Sequence, residues 1–147
     1  MIRKITAFDI EALLSIEKQC FTQLWTAKNI EDAIENQRNI LLCICQQGEI
    51  CGYIFADFVL DEVNINRIAV APDCRNCGIA CRLLEELEKY VGGFAECIML
   101  EVRQSNTAAR KLYEKNGYET VGLRKGFYSE PFEDAVLMTK FLKKMEH

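Results

Sequence analysis

One stretch constrains the fold more than any other. Ile68-Ala69-Val70-Ala71 is an apolar run of strand length, Pro72 turns the chain, and Ile79, Leu83, Leu84, Leu87 and Val91 then recur at the helical period. The next apolar run of strand length is Cys97–Arg103, after the helix-ending pair Gly92-Gly93. A strand, a helix and a strand in that order build a crossover, so these two strands should lie parallel with the helix on one sheet face. Between strand and helix lies Arg75-x-x-Gly78-x-Ala80. Such a junction aims unpaired backbone N–H groups and the positive end of a helix at one point, which suits an anionic ligand. Gly78 carries no Cβ, so a ligand can approach the backbone closely. Arg75 and Arg82 can add charge-assisted contacts to phosphate. No Gly-Lys-Ser/Thr follows, which disfavours nucleotide hydrolysis. By itself the turn also fits an ordinary strand–turn–helix with a solvated arginine.

The same segment contains Cys74-x-x-Cys77-x-x-x-Cys81. A zinc or iron–sulfur site usually takes four nitrogen or sulfur ligands. The only histidine is the final residue, His147. A fourth cysteine would have to leave an apolar strand, so no metal is expected. The chain has eight cysteines. Cys43, Cys45, Cys51 and Cys97 fall in apolar strands, where the thiol serves as a small hydrophobe.

The remaining segments alternate between two periodicities. Ile10, Leu13, Leu14 and Ile16 mark a first helix, with Asp9 as its N-cap and Phe8 as a hydrophobic staple. Phe21–Trp25 reads as a loop, and Thr26 caps a second helix carrying Ile30, Ala33 and Ile34. Ile40–Cys45 and Ile50–Leu60 form a hairpin about Gln47-Gly48. Asp61-Glu62 makes the next turn and Val63–Val70 a third strand. Ser105 or Asn106 caps a helix that stops at Asn116-Gly117. Tyr118–Leu123 and Ala135–Leu142 close the sheet, joined by Arg124–Glu133. The order is β-α-α-β-β-β-α-β-α-β-β. It predicts an α+β fold, a mixed, mostly antiparallel sheet in one domain over residues 1–147. With 147 residues the chain can bury a full core. Its net charge of −4 provides no global field for nucleic acid, so no direct nucleic-acid binding is expected. No apolar run nears about 18 residues, and the start is too polar for a signal peptide, so no membrane partner is expected and a cytoplasmic location is.

Several strings, in this order, resemble the GNAT superfamily of N-acetyltransferases along nearly the whole chain. Val59-Leu60-Asp61-Glu62 leading to Ile68-Ala69-Val70 looks like the family's fourth strand. Arg75-x-x-Gly78-x-Ala80 matches its pyrophosphate loop. Leu100-Glu101-Val102-Arg103 with Ser105-Asn106, then Leu112-Tyr113-Glu114 and Gly117-Tyr118, are similar to the RimI-type N-terminal alanine acetyltransferases of ribosomal proteins. Tyr128 and Glu133-Asp134-Ala135 resemble the C-terminal signature of that subfamily. The resemblance implies a three-layer α/β/α fold, acetyl-CoA as co-substrate without a metal, and a protein N-terminus, ribosomal alanine, as acceptor. Two departures stand out: Ala80 sits where glycine is commoner, and Asn76-Cys77 where a basic pair is frequent.

The resemblance also assigns roles. The backbone of Ile68, Ala69 and Val70 would pair with the pantetheine arm like an added strand. Amides of Arg75, Asn76, Cys77, Gly78, Ile79 and Ala80 would hold the pyrophosphate. Asn106 would bond the cofactor arm and also cap its helix. Glu101 would be the general base, since an amine with a pKa of ~8 arrives as ammonium and must lose a proton before attack. A salt bridge to Arg103 or another cation is the alternative use of Glu101. Tyr113 would be the general acid toward the departing thiolate, with half-buried packing beside Ala109 and Leu112 as the alternative. Glu62, Trp25, Tyr128 and the Phe21–Trp25 loop are candidates for the amine side, or else strand-end, core and hinge residues. A GNAT acting on lysine side chains or small amines, a non-catalytic acyl-CoA-binding module and a cysteine-rich metal protein are the competing readings.

Overall fold

The computed structural model describes residues 1–142. Seven strands form one sheet: β1 (Ile2–Lys4), β2 (Asn39–Gln46), β3 (Glu49–Val59), β4 (Glu62–Val70), β5 (Cys97–Arg103), β6 (Glu119–Ser129) and β7 (Phe132–Phe141). Four α-helices, α1 (Ile10–Cys20), α2 (Ala27–Glu35), α3 (Ile79–Val91) and α4 (Thr107–Lys115), connect them. The spatial order is β1-β2-β3-β4-β5-β7-β6, antiparallel except for the parallel β4–β5 pair around α3. The expected element order and the single crossover are both present. No helix among the described residues is long and apolar enough to cross a membrane.

Strand alternation divides the core in two. Leu41 and Cys43 of β2, with Tyr53 and Phe55 of β3, pack beneath α1 and α2 against Leu13, Ile16 and Ile30. Ile40, Leu42 and Ile44 face the other way, onto Ile79, Leu83, Leu84, Leu87 and Val91 of α3. Burying each of those α3 side chains is worth roughly 1.5–3 kcal/mol, so the helix is held firmly and its N-terminus cannot drift. Gly52 permits this close approach: a Cβ there would lie 2.8 Å from the Ala69 carbonyl oxygen and 3.0 Å from Ile79 Cγ2.

The β4–β5 ladder is short. Only Glu62, Val63 and Asn64 pair with Cys97, Ile98 and Met99. The cause lies on the opposite edge of β4. Phe55 pairs with Arg67 but Ala56 with Ile65, so Asn66 is an extra residue. A β-bulge of this kind bends its strand and sharpens the twist. β4 therefore turns away from β5 just beyond Asn64, and a gap opens between them.

Three expectations need correction. Asp9 does not cap α1, and Phe8 is almost wholly exposed and staples nothing. A 3-10 turn, Ala7–Asp9, precedes α1, and Asp9 instead accepts from the Thr6 amide at 2.8 Å and pairs with Arg3 at 2.7 Å. The turn placed at Asp61-Glu62 lies one residue earlier: Leu60 takes the positive φ, and Glu62 already begins β4. Most of Arg124–Glu133 is strand, not loop. A bulge in β6 between Arg124 and Tyr128 absorbs Lys125, Gly126 and Phe127, and the Gly126 amide donates to Asp134 Oδ1 at 2.8 Å.

Candidate active site

The gap between β4 and β5 is the mouth of a cleft of about 1000 Å³. One wall is the unpaired edge of β4. The Ala71 amide donates to Cys51 O on β3 at 2.8 Å, so Ala69, two residues back, is also turned toward β3. In an antiparallel ladder the alternate residues point the other way, which places the N–H and C=O of Ile68 and Val70 on the cleft side. Val70 O is engaged at the surface: Arg75 Nε donates to it at 3.3 Å and the Cys20 thiol at 3.5 Å. Arg75 also reaches Cys20 Sγ at 3.4 Å, so this arginine lies back along the strand edge.

The end wall is the turn before α3. Asn76 and Gly78 both take positive φ, 64° and 75°. Asparagine and glycine are the residues that enter this region at least cost. A Cβ on Gly78 would meet nothing within 4 Å, so the space above its backbone belongs to the cleft. Arg75, Asn76, Gly78, Ile79 and Ala80 all line it, together with Cys81. No side chain caps α3, which leaves the first-turn amides free for a ligand. Cys77 is exposed and does not line the cleft; its thiol turns to the Arg75 carbonyl at 3.6 Å. The thiols of the Cys74/Cys77/Cys81 motif do not converge. Among the described residues no three Cys, His, Asp or Glu side chains are grouped to hold a metal, and His147 lies outside them.

The facing wall comes from β5 and α4. Leu100, Glu101, Val102 and Arg103 line it, with Asn106, Ala109, Leu112 and Tyr113 beyond. Glu101 Oε1 is 3.4 Å from Arg124 Nη1, an exposed pair that is worth little. The salt-bridge alternative is thus real, but its partner is Arg124 on β6. Arg103 turns instead to Glu133 and to the carbonyls of Glu130 and Pro131. Glu101 Oε2 is buried and accepts no hydrogen bond from the described residues. An unpaired buried oxygen of this kind costs about 1–3 kcal/mol, so it is a ready acceptor for a donor entering the cleft. Tyr113 is 6% exposed, its ring edge-on to Tyr118 at 5.8 Å. Burial, with a smaller effect of Tyr128, pushes its hydroxyl up to about 12, which keeps it a proton donor. Asn106 caps α4 by accepting from the Ala109 amide at 3.1 Å, and its amide NH2 remains to donate into the cleft.

The amine-side candidates separate. Tyr128 lines the cleft, its ring under the Arg103 guanidinium at 4.2 Å, and burial raises its pKa. Glu62 does not reach the cleft: it stands at the far end of β4, paired with Cys97 where the two strands are still joined. Trp25 stacks on Phe55 at 4.5 Å and 17° and packs into the α1/α2 core. Its loop neighbours Phe21, Thr22 and Gln23 line the cleft in its place. Sequence reading missed Arg67 altogether. Its side chain lines the cleft from β4 and pairs with Glu17 of α1, which is 1% exposed and also accepts from the Tyr53 hydroxyl at 2.8 Å. A lone glutamate on the apolar face of α1 was the available signal.

Comparison with known proteins agrees with this geometry. Residues 10–118 match the Acetyltransferase (GNAT) family. The chain is 35% identical to the [Ribosomal protein bS18]-alanine N-acetyltransferase of Haemophilus influenzae, over 97% of this chain and 99% of that one. The crystal structure of the ribosomal-protein-S18-alanine N-acetyltransferase from Escherichia coli superposes with a TM-score of 0.90 at 28% identity, covering 100% of this chain and 96% of that one. Arabidopsis thaliana NAA60, solved in complex with acetyl-CoA, shares the fold with a TM-score of 0.87 at 22% identity, over 97% of this chain and 99% of that one.

Proposed function

We propose that this chain, which belongs to the GNAT family and is an acetyl-CoA-dependent N-acetyltransferase, acetylates the N-terminal alanine of a small-subunit ribosomal protein. Transfer proceeds by direct attack in a ternary complex within one catalytic domain spanning residues 1–147. The observation that carries the reading is the cleft itself, with an open backbone edge at Ile68 and the Val70 N–H and, on the facing wall, a carboxylate oxygen without a partner among the described residues. The pantetheine arm adds to the β4 edge as a strand, and the free amides before α3 take the pyrophosphate. Asn106 donates to the arm.

Glu101 accepts a proton from the incoming ammonium, directly or through water. The freed amine nitrogen forms a bond to the acetyl carbonyl carbon, and the C–S bond breaks. The coenzyme A thiolate leaves with a proton, or a hydrogen bond, from the Tyr113 hydroxyl. The second proton, lost by the nitrogen as it becomes an amide, passes through water to restore Tyr113 or to the thiolate itself, so that free coenzyme A departs as the thiol. No cysteine carries the acetyl group and no metal takes part in this reading. Support for a protein N-terminus as acceptor comes from the near full-length similarity to bS18-alanine acetyltransferases.

The test is an acetylation assay on N-terminal peptides, beside lysine peptides and polyamines. Alanine N-termini of ribosomal sequence should be preferred; preference for lysine or a polyamine overturns the substrate. Glu101→Gln should cut kcat by roughly 10²-fold or more, and Tyr113→Phe by roughly tenfold or more, with acetyl-CoA affinity retained. Unchanged turnover in both variants removes them from the mechanism.

A further inference from the structure

Building on that reading of the cleft, the geometry points to Arg67 as a positioning residue that clamps the Phe21–Trp25 loop to β4 and so shapes the lip over which the acceptor chain enters. The loop contributes Phe21, Thr22 and Gln23 to the cleft and is itself neither strand nor helix; Trp25 seats one end on Phe55, and the cleft side needs a second tie. Arg67 supplies it. Its guanidinium donates to the Gln23 carbonyl and lies over the Phe21 ring at 4.1 Å and the Trp25 ring at 5.1 Å. A planar guanidinium can bond and stack at once, which a lysine ammonium cannot.

The charge of Arg67 is also dealt with. Its Nε lies 3.2 Å from both oxygens of the Glu17 carboxylate and donates to Oε2, which the Tyr53 hydroxyl also engages at 2.8 Å. A bare cation at the mouth would repel an incoming ammonium; the buried Glu17 cancels it. α1, β3 and β4 each supply one member, so loop position is tied to the core. The opposite lip is built alike: Arg103 of β5 lies over Tyr128 and donates to the carbonyls of Glu130 and Pro131. The two strands that splay to open the cleft thus each carry an arginine that fastens the lip on their own side.

Trp25 is the only tryptophan in the chain, so its fluorescence reads the loop without any assay of activity. The experiment combines acrylamide quenching of Trp25 with steady-state kinetics on the best N-terminal peptide, for Arg67→Met and Arg67→Lys. Both variants should quench more readily and raise the peptide KM roughly tenfold, with kcat and the acetyl-CoA KM near wild type. Wild-type quenching in both variants, restoration by lysine, or a parallel loss of kcat and acetyl-CoA affinity overturns the clamp. Tyr53→Phe keeps the buried ring and removes one bond to Glu17. It should shift quenching and peptide KM the same way by a smaller factor, and wild-type values for it also overturn the proposal, even where the arginine variants do not fold. If the wild type acetylates no N-terminal peptide, the substrate reading fails while the quenching result still decides the clamp.

Discussion

Single side chains here are used in ways their positions along the chain only half disclose. Asp9 stands where an N-cap belongs, yet Arg3 and the Thr6 amide take its carboxylate and hold its pKa down at about 2, from 3.8. Because folding lowers this pKa, the stabilisation is full above about pH 4 and fades as pH falls toward 2. Asp9→Asn should therefore lower stability by about 1–2 kcal/mol at pH 7, discounted for the partly exposed Arg3, and by much less at pH 2.5. Urea melts at the two pH values measure this, and an equal loss at both contradicts it. Glu101 shows the reverse case. The strand pattern placed it correctly on one face with Met99 and Arg103, but its ion-pair partner comes from β6, twenty-three positions along the chain. No local rule predicts a partner at that separation.

At the scale of elements, the β4–α3 junction was the most legible part and remains the centre of the site. Its glycine is needed twice, for a left-handed φ and for an open cradle. Gly78→Ala should cost about 1–2 kcal/mol of stability from the strained φ and, separately, weaken acetyl-CoA binding by crowding the pyrophosphate. Calorimetric titration separates the two effects, and unchanged affinity would show that the cradle does not approach the ligand closely. Gly52 sends no such signal in sequence, because its φ is ordinary and its neighbours come from β4 and α3. Gly52→Ala should destabilise by roughly 1–3 kcal/mol through overpacking against the Ala69 carbonyl and Ile79, read as a lower denaturant midpoint. The segment between the last two strands misled for a related reason. Gly126 reads as a loop residue, whereas a bulge in the edge strand β6 accommodates it; Pro131 does lie in the short turn between β6 and β7.

The whole molecule is a sheet split by one bulge, and the candidate site lies in the split. A ligand that bridges β4 and β5 joins the two halves and binds only the folded state. Acetyl-CoA at a hundredfold excess over its Kd should add about 2.7 kcal/mol. That corresponds to a rise in Tm of roughly 5–10 °C for a chain of this size. Differential scanning fluorimetry with acetyl-CoA tests it, with free adenosine as the control that lacks the bridging arm; equal shifts for both would argue against an arm laid along the β4 edge.

The sequence by itself determined the element order, the parallel crossover and the glycine turn before α3, because periodicity and short-range turn chemistry act over a few residues; Glu101 and Tyr113 were singled out by resemblance to the family and remain proposals. Their strings also sufficed for the family. What only the tertiary structure decided is who meets whom across the sheet. The Asn66 bulge that opens the cleft depends on register between β3 and β4. The exclusion of Glu62 follows from where the β4–β5 ladder stops, and the burial of Trp25 from a stacking partner on β3. The Glu17–Tyr53–Arg67 group joins three elements whose members lie up to 50 positions apart. Such contacts come from packing, which balances the whole core at once, and packing leaves no mark at any one position in the chain.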